Sequence, residues 1–320
     1  DLDCDVRTNV GGNGIVVTID SGKPGKTIGI RADFDALPIQ EETGLPFASK
    51  NPGVMHACGH DGHTAYMLIL GETLIEMKEQ LQGKIAIIHQ HAEETPPGGA
   101  IGMIEDGALE GIDNVFGIHV MTSMETSKIF YRPGNVQTGR AYFKAKINGV
   151  GGHGSSPHQA KDAIVAASQF VVSLQTIVSR TLSPFENASV TIGNFDGKGS
   201  FNVIKDSVTL EGDVRSMSDE GMETIEKEIH AKLDGVSAMF GVTYDLDFVP
   251  DYPVLYNDPE VTNFGAKVLK DTDIPEVEAV EICEPQAPSE DFAHYAKERP
   301  SMFFYVGAAP KDGEAYPHHH

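Results

Sequence analysis

Four residues that could bind a metal ion lie within one eight-residue segment, His56-Ala57-Cys58-Gly59-His60-Asp61-Gly62-His63. They are His56, Cys58, His60 and His63. Thiolate and imidazole are preferred ligands of zinc and related ions, and Gly59 and Gly62 would let the backbone turn tightly. A single cysteine or histidine is more often a satisfied core residue. The density of this segment instead favours a metal site.

A pair of adjacent carboxylates, Glu93 and Glu94, follows a predicted buried strand over 84–89. Functional sites of α/β proteins tend to lie at the ends of such strands. Two neighbouring side chains on an extended backbone point to opposite sides, so one carboxylate could bind a cation while the other faces a bound water. Acidic pairs usually decorate a surface, but the position after an apolar strand favours a role in metal-assisted hydrolysis.

Three more candidates follow predicted strands in the same part of the chain. His119 lies among aliphatic residues at a predicted strand end, where a satisfied core histidine is the alternative. Asp33 and Asp35 follow another strand. One of them could accept a hydrogen bond from a ligand imidazole and fix its tautomer, whereas a turn aspartate before a proline is the alternative.

Polar residues further along the chain suit the binding of a substrate. A glycine-rich loop carries His153 and His158, which could donate to a developing oxyanion, and Asn202 could do the same. Arg215 suits a substrate carboxylate. Each residue has an ordinary structural alternative, namely a turn, a helix cap or a surface charge.

The elements that must position these residues alternate between strands and helices in the first part of the chain. Short β-branched runs predict strands over 14–19 and 27–31, separated by a turn. Apolar residues at helical spacing predict an amphipathic helix over 63–80, and the buried strand over 84–89 follows it. This order predicts an α/β domain with a mixed sheet. Near the end of the chain, further elements are predicted to return to that sheet: helices at 259–270 and 290–297 and a strand at 302–306.

A second domain is predicted between 136 and 250. Its pattern of strand, helix, strand, strand, helix, strand with one-sided strands is typical of a ferredoxin-like α+β fold. The catalytic domain is therefore discontinuous, with 1–135 and 251–320 on either side of the insert. A chain of 320 residues is long enough for two cores.

The composition argues against some classes of partner. Forty-seven acidic side chains against 24 Lys and Arg give a formal net charge of −23, which would repel nucleic acid and anionic membranes. Cys4, Cys58 and Cys283 are few, odd in number and widely spaced, which indicates free thiols in a reducing compartment. The first residues carry no export signal. We therefore expect a cytoplasmic enzyme that binds neither nucleic acid nor membrane.

Taken together, these motifs resemble the M20 family of metallopeptidases, in particular its amidohydrolase branch. That branch contains hippurate hydrolases, N-acyl-amino-acid deacylases, N-acetyldiaminopimelate deacetylases and auxin-conjugate hydrolases. The resemblance spans nearly the whole chain. The segments that carry it are 31–38, 55–63, 92–94, 117–119, 151–158, 202–204, 212–215 and 289–292.

The resemblance implies roles for individual residues. The metal ligands fall on Cys58, His60, Glu94 and His119, with a last histidine from the C-terminal segment, for which His319 is chosen over His318 and His320. The general base falls on Glu93, Asp35 matches the aspartate that orients the site, and His153 is expected to reach an active site across a dimer. The insert then corresponds to the lid or dimerisation domain, and the catalytic domain is expected to be incomplete at both termini.

The function expected from residues and resemblance is metal-dependent hydrolysis of an N-acyl amino acid. One or two divalent ions per subunit are expected, with Zn, Mn, Ni and Co as candidates. The expected partners are a small-molecule substrate and further copies of the chain in a homodimer or homotetramer. The alternatives are a dipeptidase of the same family, a metal-binding protein without catalysis, and an enzyme in which Cys58, paired with His60, is the nucleophile.

Overall fold

A computed structural model describes residues 3–312 and 316–319 of the chain. These residues form two compact units. Unit 1 consists of the described residues within Asp1–Val136, Leu255–Gln286 and Glu290–His320, and unit 2 consists of Gln137–Val254 and Ala287–Ser289. The first boundary between the units was predicted at 135/136 and lies at 136/137. The second was predicted at 250/251 and lies at 254/255, because the last strand of unit 2 continues to Tyr252.

The strands and helices have the following bounds. The strands are β1 (Asp5–Val10), β2 (Gly14–Asp20), β3 (Thr27–Asp33), β4 (Lys84–Gln90), β5 (Asn114–Glu125), β6 (Lys128–Tyr131), β7 (Gly134–Gln137), β8 (Gly139–Asn148), β9 (Gly152–His153), β10 (Ala188–Asp196), β11 (Val203–Ile204), β12 (Ser207–Ser216), β13 (Thr243–Tyr252), β14 (Leu255–Asn257), β15 (Ala279–Ile282) and β16 (Ser301–Ala309). The α-helices are α1 (His60–Glu76), α2 (Ala100–Glu105), α3 (Ala163–Thr176), α4 (Asp219–Phe240), α5 (Pro259–Asp271) and α6 (Phe292–Glu298).

Unit 1 is built on an eight-stranded mixed sheet with the order β1-β2-β4-β3-β5-β16-β6-β15. The four central strands β4, β3, β5 and β16 are parallel to their neighbours within that group. Their apolar side chains are buried, as expected for parallel strands covered on both faces. Because parallel strands end at the same edge, the segments that follow β3 and β4 start from one edge of the sheet.

Helices complete the core of unit 1. α1 buries Met67 against Ile19 and Ile87 of the sheet. α6 contributes Phe292 and Tyr295 to the larger cluster that includes Phe303 of β16. The mixed α/β domain predicted from the sequence is confirmed.

Unit 2 contains a four-stranded antiparallel sheet with the order β10-β12-β8-β13. α3 and α4 cover it and bury Phe170, Leu174 and Ile225 against Phe143 of β8. This arrangement confirms the predicted ferredoxin-like fold. By length and composition alone, Ala163–Thr181 could span a membrane, but its apolar side belongs to this core. Asp162 caps α3 by accepting hydrogen bonds from the N–H groups of Ile164 and Val165.

Candidate metal centre

The start of α1 lies against β5, and a glycine makes this approach possible. Gly59 has a φ of 92°, and a Cβ at this position would lie 2.3 Å from Cγ2 of Val120. A residue with a side chain would be both strained and obstructed there. The helix predicted to begin at His63 begins at His60 instead, so His60 and His63 lie in its first turn. Both imidazoles are buried.

The acidic pair lies in a turn, which corrects the prediction of an extended backbone. Pairing between β3 and β4 ends at Gln90, and the chain then turns at Ala92, whose φ is 57°. The turn brings the two carboxylates together instead of pointing them to opposite sides. An oxygen of Glu93, an oxygen of Glu94 and a nitrogen of His60 all lie within 4.8 Å of one another.

His119 lies in the interior of β5, so its predicted position at a strand end is wrong. The strand continues to Glu125 because β16 pairs with it over most of its length. β3, however, pairs with β5 only as far as Gly117. His119 therefore lies just beyond the point where its neighbouring strand β3 has ended, which leaves room for side chains from other segments.

Two of the three terminal histidines are described, and they have different contacts. His318 Nε2 accepts a hydrogen bond from the Thr122 N–H at 3.2 Å. The His319 N–H donates to the Ala57 carbonyl at 2.9 Å, and its Nε2 lies 3.2 Å from Glu94 Oε1. His320 lies outside the described residues. His319 therefore lies beside Glu94, whereas His318 is hydrogen-bonded to the backbone of β5.

The structure brings together all five side chains to which the resemblance assigns metal binding. They form two groups that share Cys58. In each group, the ligand atoms lie within 4.8 Å of one another: Cys58, His60 and His119 in one, Cys58, Glu94 and His319 in the other.

The donor atoms of this cluster fit a cation. His60 Nδ1 lies 3.0 Å from the Asp35 carbonyl and donates to it, which leaves the lone pair on Nε2. His60 Nε2 is buried and lacks a hydrogen-bond partner among the described residues, whereas Asp35 Oδ1 and Glu94 Oε1 each lie near an imidazole nitrogen, at 3.3 Å from His60 Nδ1 and 3.2 Å from His319 Nε2. Buried polar atoms normally have a partner. A divalent ion would supply one for His60 Nε2.

A buried arginine and its acidic partners lie in the same part of unit 1 as Glu93. Arg31 is buried and forms ion pairs with Asp33 at 2.8 Å, Glu290 at 2.9 Å and Asp291 at 2.7 Å. Burial, followed by the charges of Glu290 and Asp291, raises the pKa of the Glu93 carboxyl well above its usual range. A basic carboxylate of this kind suits proton abstraction.

The thiol of Cys58 lies in surroundings that oppose its ionisation. Burial is the largest cause, and the charges of Glu94 and Glu93 act in the same direction, so the pKa of the Cys58 thiol is raised far above its usual value. Reactive cysteines need an electropositive environment. This environment disfavours Cys58 as a free nucleophile and favours a thiolate bound to a cation.

Three predicted site residues, His153, Asn202 and Arg215, belong to unit 2. His153 Nδ1 accepts a hydrogen bond from the Ser155 N–H at 3.1 Å, which leaves Nε2–H as a donor. The Asn202 carbonyl accepts from the Gly154 N–H at 2.8 Å. A cleft of about 560 Å³, lined by His153, Val203 and Lys205 among others, lies beside this loop.

Arg215 is held by hydrogen bonds within unit 2. Its Nε donates to Asp213 Oδ2 at 2.9 Å, and its Nη1 donates to Ser289 Oγ at 3.1 Å. Asp213 also accepts a hydrogen bond from Arg140 Nε at 2.9 Å. The guanidinium of Arg215 is therefore oriented before any ligand binds.

Sequence reasoning did not single out Arg31, although it is the buried centre of the acidic network. The signal was available, because Arg31 interrupts an otherwise apolar strand, and a charged residue in a buried strand must be paired. Its partners Glu290 and Asp291 were noted only as part of the resemblance.

Comparison with known proteins agrees with this geometry. Residues 29–320 match the model of peptidase family M20/M25/M40. The chain belongs to this family. Relatives within it include YhaA of Bacillus subtilis (strain 168), which carries the name of an amidohydrolase and is 45% identical over 98% of this chain and 79% of that protein. The N-acetyl-L-cysteine deacetylase of the same strain is 37% identical over 96% of this chain and 72% of its own length.

A further M20/M25/M40 relative is the N-acyl-L-amino acid amidohydrolase of Geobacillus stearothermophilus. It is 40% identical to this chain over 78% of this chain and 68% of its own length.

Two solved structures resemble the chain over its full or nearly full length. A protein of methicillin-resistant Staphylococcus aureus that carries the name of an aminohydrolase has a TM-score of 0.95 and 65% identity, over 100% of this chain and 82% of that one. The YXEP protein of Bacillus subtilis, described as a dinuclear metal-binding peptidase from the M20 family, has a TM-score of 0.82 and 30% identity, over 99% and 81%. The predicted family, fold class and class of metal-dependent hydrolase are confirmed.

Proposed function

We propose that this M20/M25/M40 protein hydrolyses the amide bond of N-acyl amino acids, with Glu93 as general base beside residues that would hold one or two divalent ions. The observation that carries the proposal is the convergence of the possible ligands Cys58, His60, Glu94, His119 and His319, with the buried His60 Nε2 left without a hydrogen-bond partner among the described residues. Three relatives named for amidohydrolase or deacetylase activity support the substrate class.

Two groups of ligand atoms support a centre with two ions. Cys58, His60 and His119 would hold one ion, and Cys58, Glu94 and His319 would hold the other. The YXEP protein, to which this chain is similar, is described as dinuclear. When bound, a divalent ion supplies Lewis acidity, which polarises the scissile carbonyl and lowers the pKa of the attacking water. The mixture of thiolate, imidazole and carboxylate leaves Zn, Mn, Ni and Co as candidates.

Glu93 takes the proton of the attacking water and later delivers it to the leaving amine. An oxygen of Glu93 lies within 4.8 Å of ligand atoms of His60 and Glu94, so the carboxylate is within reach of a water bound at the cluster. Asp35 supports this arrangement, because its carbonyl accepts from His60 and its Oδ2 accepts from the Glu94 N–H at 2.9 Å. One water is consumed, and a carboxylate and a free amino acid are released.

The residues of unit 2 serve the substrate in this proposal. Arg215, already oriented by Asp213, binds the substrate carboxylate. His153 and Asn202 donate to the developing oxyanion, and His153 acts across a homodimer. The lid or dimerisation role of unit 2, a homodimer or homotetramer and a cytoplasmic location are part of the proposal. Cys4, Cys58 and Cys283 form no disulfide, which supports a reducing compartment.

The experiment that tests this function is a substrate screen on metal-reconstituted protein. N-acetyl and N-benzoyl amino acids and unmodified dipeptides are offered, release of amino acid is measured, and metal content is determined on the same sample. We expect release from N-acyl substrates, loss of activity on treatment with a chelator, and recovery when the metal is restored.

Each alternative predicts a different result in that screen. Preference for unmodified dipeptides would support the dipeptidase. Stoichiometric metal without activity on any substrate would support a binding protein. Activity that survives complete removal of the metal would support the cysteine nucleophile, because that chemistry needs no ion. Any of these three results would overturn the proposed function.

A further inference from the structure

His63 is a fully buried histidine whose two ring nitrogens are both occupied. Its Nε2 accepts a hydrogen bond from the Val120 N–H at 3.0 Å. Nδ1 therefore carries the proton and donates to Asp33 Oδ1 at 2.5 Å. His63 thus has no lone pair left for a metal ion, although it stacks on His60 with ring centroids 5.4 Å apart.

Val120 connects His63 to His119 through its two backbone groups. Its N–H is held by His63, and its carbonyl lies 2.6 Å from His119 Nδ1. The carbonyl can only accept, so His119 Nδ1 carries a proton. The lone pair of His119 is then on Nε2, which lies 3.6 Å from Cys58 Sγ. The orientation of the ligand nitrogen depends on the position of Val120.

On the side of β5 that faces β3, the sheet does not hold the backbone of Val120. β3 pairs with β5 only as far as Gly117, so the following residues of β5 have no partner in β3. His63 occupies the position that a strand would otherwise take. It is anchored in turn by Asp33, the last residue of β3, whose Oδ2 pairs with Arg31 at 2.8 Å.

We infer that His63 is a positioning residue of the metal centre: by holding the Val120 amide it orients His119 and sets the tautomer that presents Nε2. Removal of a group that hydrogen-bonds directly to a metal-binding histidine typically changes metal affinity by about 10–100-fold, and His63 acts one step further away, through Val120. The inference rests on the proposed function, because it requires His119 to bind the ion.

The test uses two replacements that each preserve one nitrogen of His63. In H63Q the amide lies near the position of Nε2 and can still accept from Val120. In H63N the amide lies near the position of Nδ1 and can bond only to Asp33. We expect H63N to lose about 10-fold in Co²⁺ or Zn²⁺ affinity, the lower end of the range for directly bonded groups, and H63Q to lose much less. The visible spectrum of the Co²⁺-loaded protein should shift in H63N and stay close to wild type in H63Q.

Hydrogen exchange of the Val120 amide is a second readout that needs no metal. In the metal-free protein this amide should be protected in wild type and H63Q and should exchange faster in H63N. H230Q is the matched control, because His230 is exposed on α4 of the other unit. It should change neither measurement. Circular dichroism establishes that each variant is folded.

Any folded His63 variant that loses protection at Val120 and keeps wild-type metal affinity and Co²⁺ spectrum would overturn the inference. H63A, which removes both ring nitrogens, takes the place of H63N if H63N does not fold. The variant C58A separates the inference from the proposed function. If C58A also keeps its metal, the proposed centre itself is wrong; if C58A loses metal while H63N does not, only the role of His63 fails.

Discussion

At the scale of single residues, the backbone decides which imidazole nitrogen can meet a cation. His60 donates from Nδ1 to the Asp35 carbonyl, and His119 donates from Nδ1 to the Val120 carbonyl. Both histidines therefore present Nε2. His63 differs because it accepts from an amide instead of donating to a carbonyl, and this difference separates a supporting histidine from two ligand candidates.

Replacing one carboxylate oxygen of Glu93 tests its role as base separately from the role of Glu94 as ligand. E93Q keeps the size of the side chain and removes its basicity, so turnover should fall by about 10²–10⁴-fold while metal content stays near wild type. The measurement is kcat together with metal analysis on one preparation. E94Q is the matched variant of the neighbouring residue and should lose metal. Full activity in E93Q would remove Glu93 from the role of base.

At the scale of elements, the approach of α1 to β5 depends on Gly59. A Cβ there would meet Val120 Cγ2 at 2.3 Å, and the φ of 92° disfavours any L side chain. G59A should cost about 1–2 kcal/mol from the left-handed backbone alone, and more from the obstruction. It should also lower metal affinity, because Cys58 and His60 flank the glycine.

The control for that change lies three residues further along α1. A Cβ at Gly62 would meet nothing within 4 Å. G62A should therefore stabilise the helix by up to about 1 kcal/mol. Denaturant unfolding and a metal titration distinguish the two variants. Equal effects of G59A and G62A would show that the contact with Val120 is unimportant.

Arg31 connects three parts of unit 1. It forms ion pairs with Asp33 of β3 and with Glu290 and Asp291, which precede α6. It also donates a hydrogen bond to Gln90 of β4 at 2.9 Å. R31M would leave three buried carboxylates without their cation. We expect a loss of about 3–5 kcal/mol in the free energy of unfolding, measured in urea.

An exposed ion pair provides the comparison. Lys84 lies 2.8 Å from Asp20, and both side chains are about half exposed, at 49% and 47%. K84M should change the free energy of unfolding by about 0–1 kcal/mol. If R31M were as mild as K84M, the buried network would not be a source of stability.

At the scale of the whole molecule, the proposed dimer can be tested by combining two inactive subunits. A heterodimer of E93Q and H153A subunits, purified through two different tags, has one subunit with an intact base and another with an intact His153. If His153 serves the neighbouring subunit, one complete site forms and about half of the wild-type activity per dimer returns.

The same heterodimer gives the opposite result if His153 acts within its own subunit. Each site then lacks one group, and the heterodimer should be as inactive as the two parent homodimers. H158A, which changes the other histidine of the same loop, is the matched control for the H153A partner. An inactive heterodimer would remove the cross-subunit role from the proposal.

Much of this protein could be predicted from local sequence. Runs of β-branched and other apolar residues predicted β2, β3 and β4 to within a few residues, because buried strands favour such residues wherever they lie in the chain. The density of ligand types in 56–63 indicated a metal site, and the order of elements in the insert indicated its fold. Short edge strands such as β1 and β15 carried no comparable signal.

Only the tertiary structure decided how the candidate residues are used. Glu93 and Glu94 converge because β4 ends at Gln90 and the chain turns at Ala92. His63 supports His119 because β3 ends before β5 does. Arg31 gathers carboxylates from segments about 260 positions apart in the chain. The side-chain pattern sets which residues are buried. Their tautomers, charges and hydrogen bonds are set by partners from distant segments, because those partners become neighbours only when the chain folds.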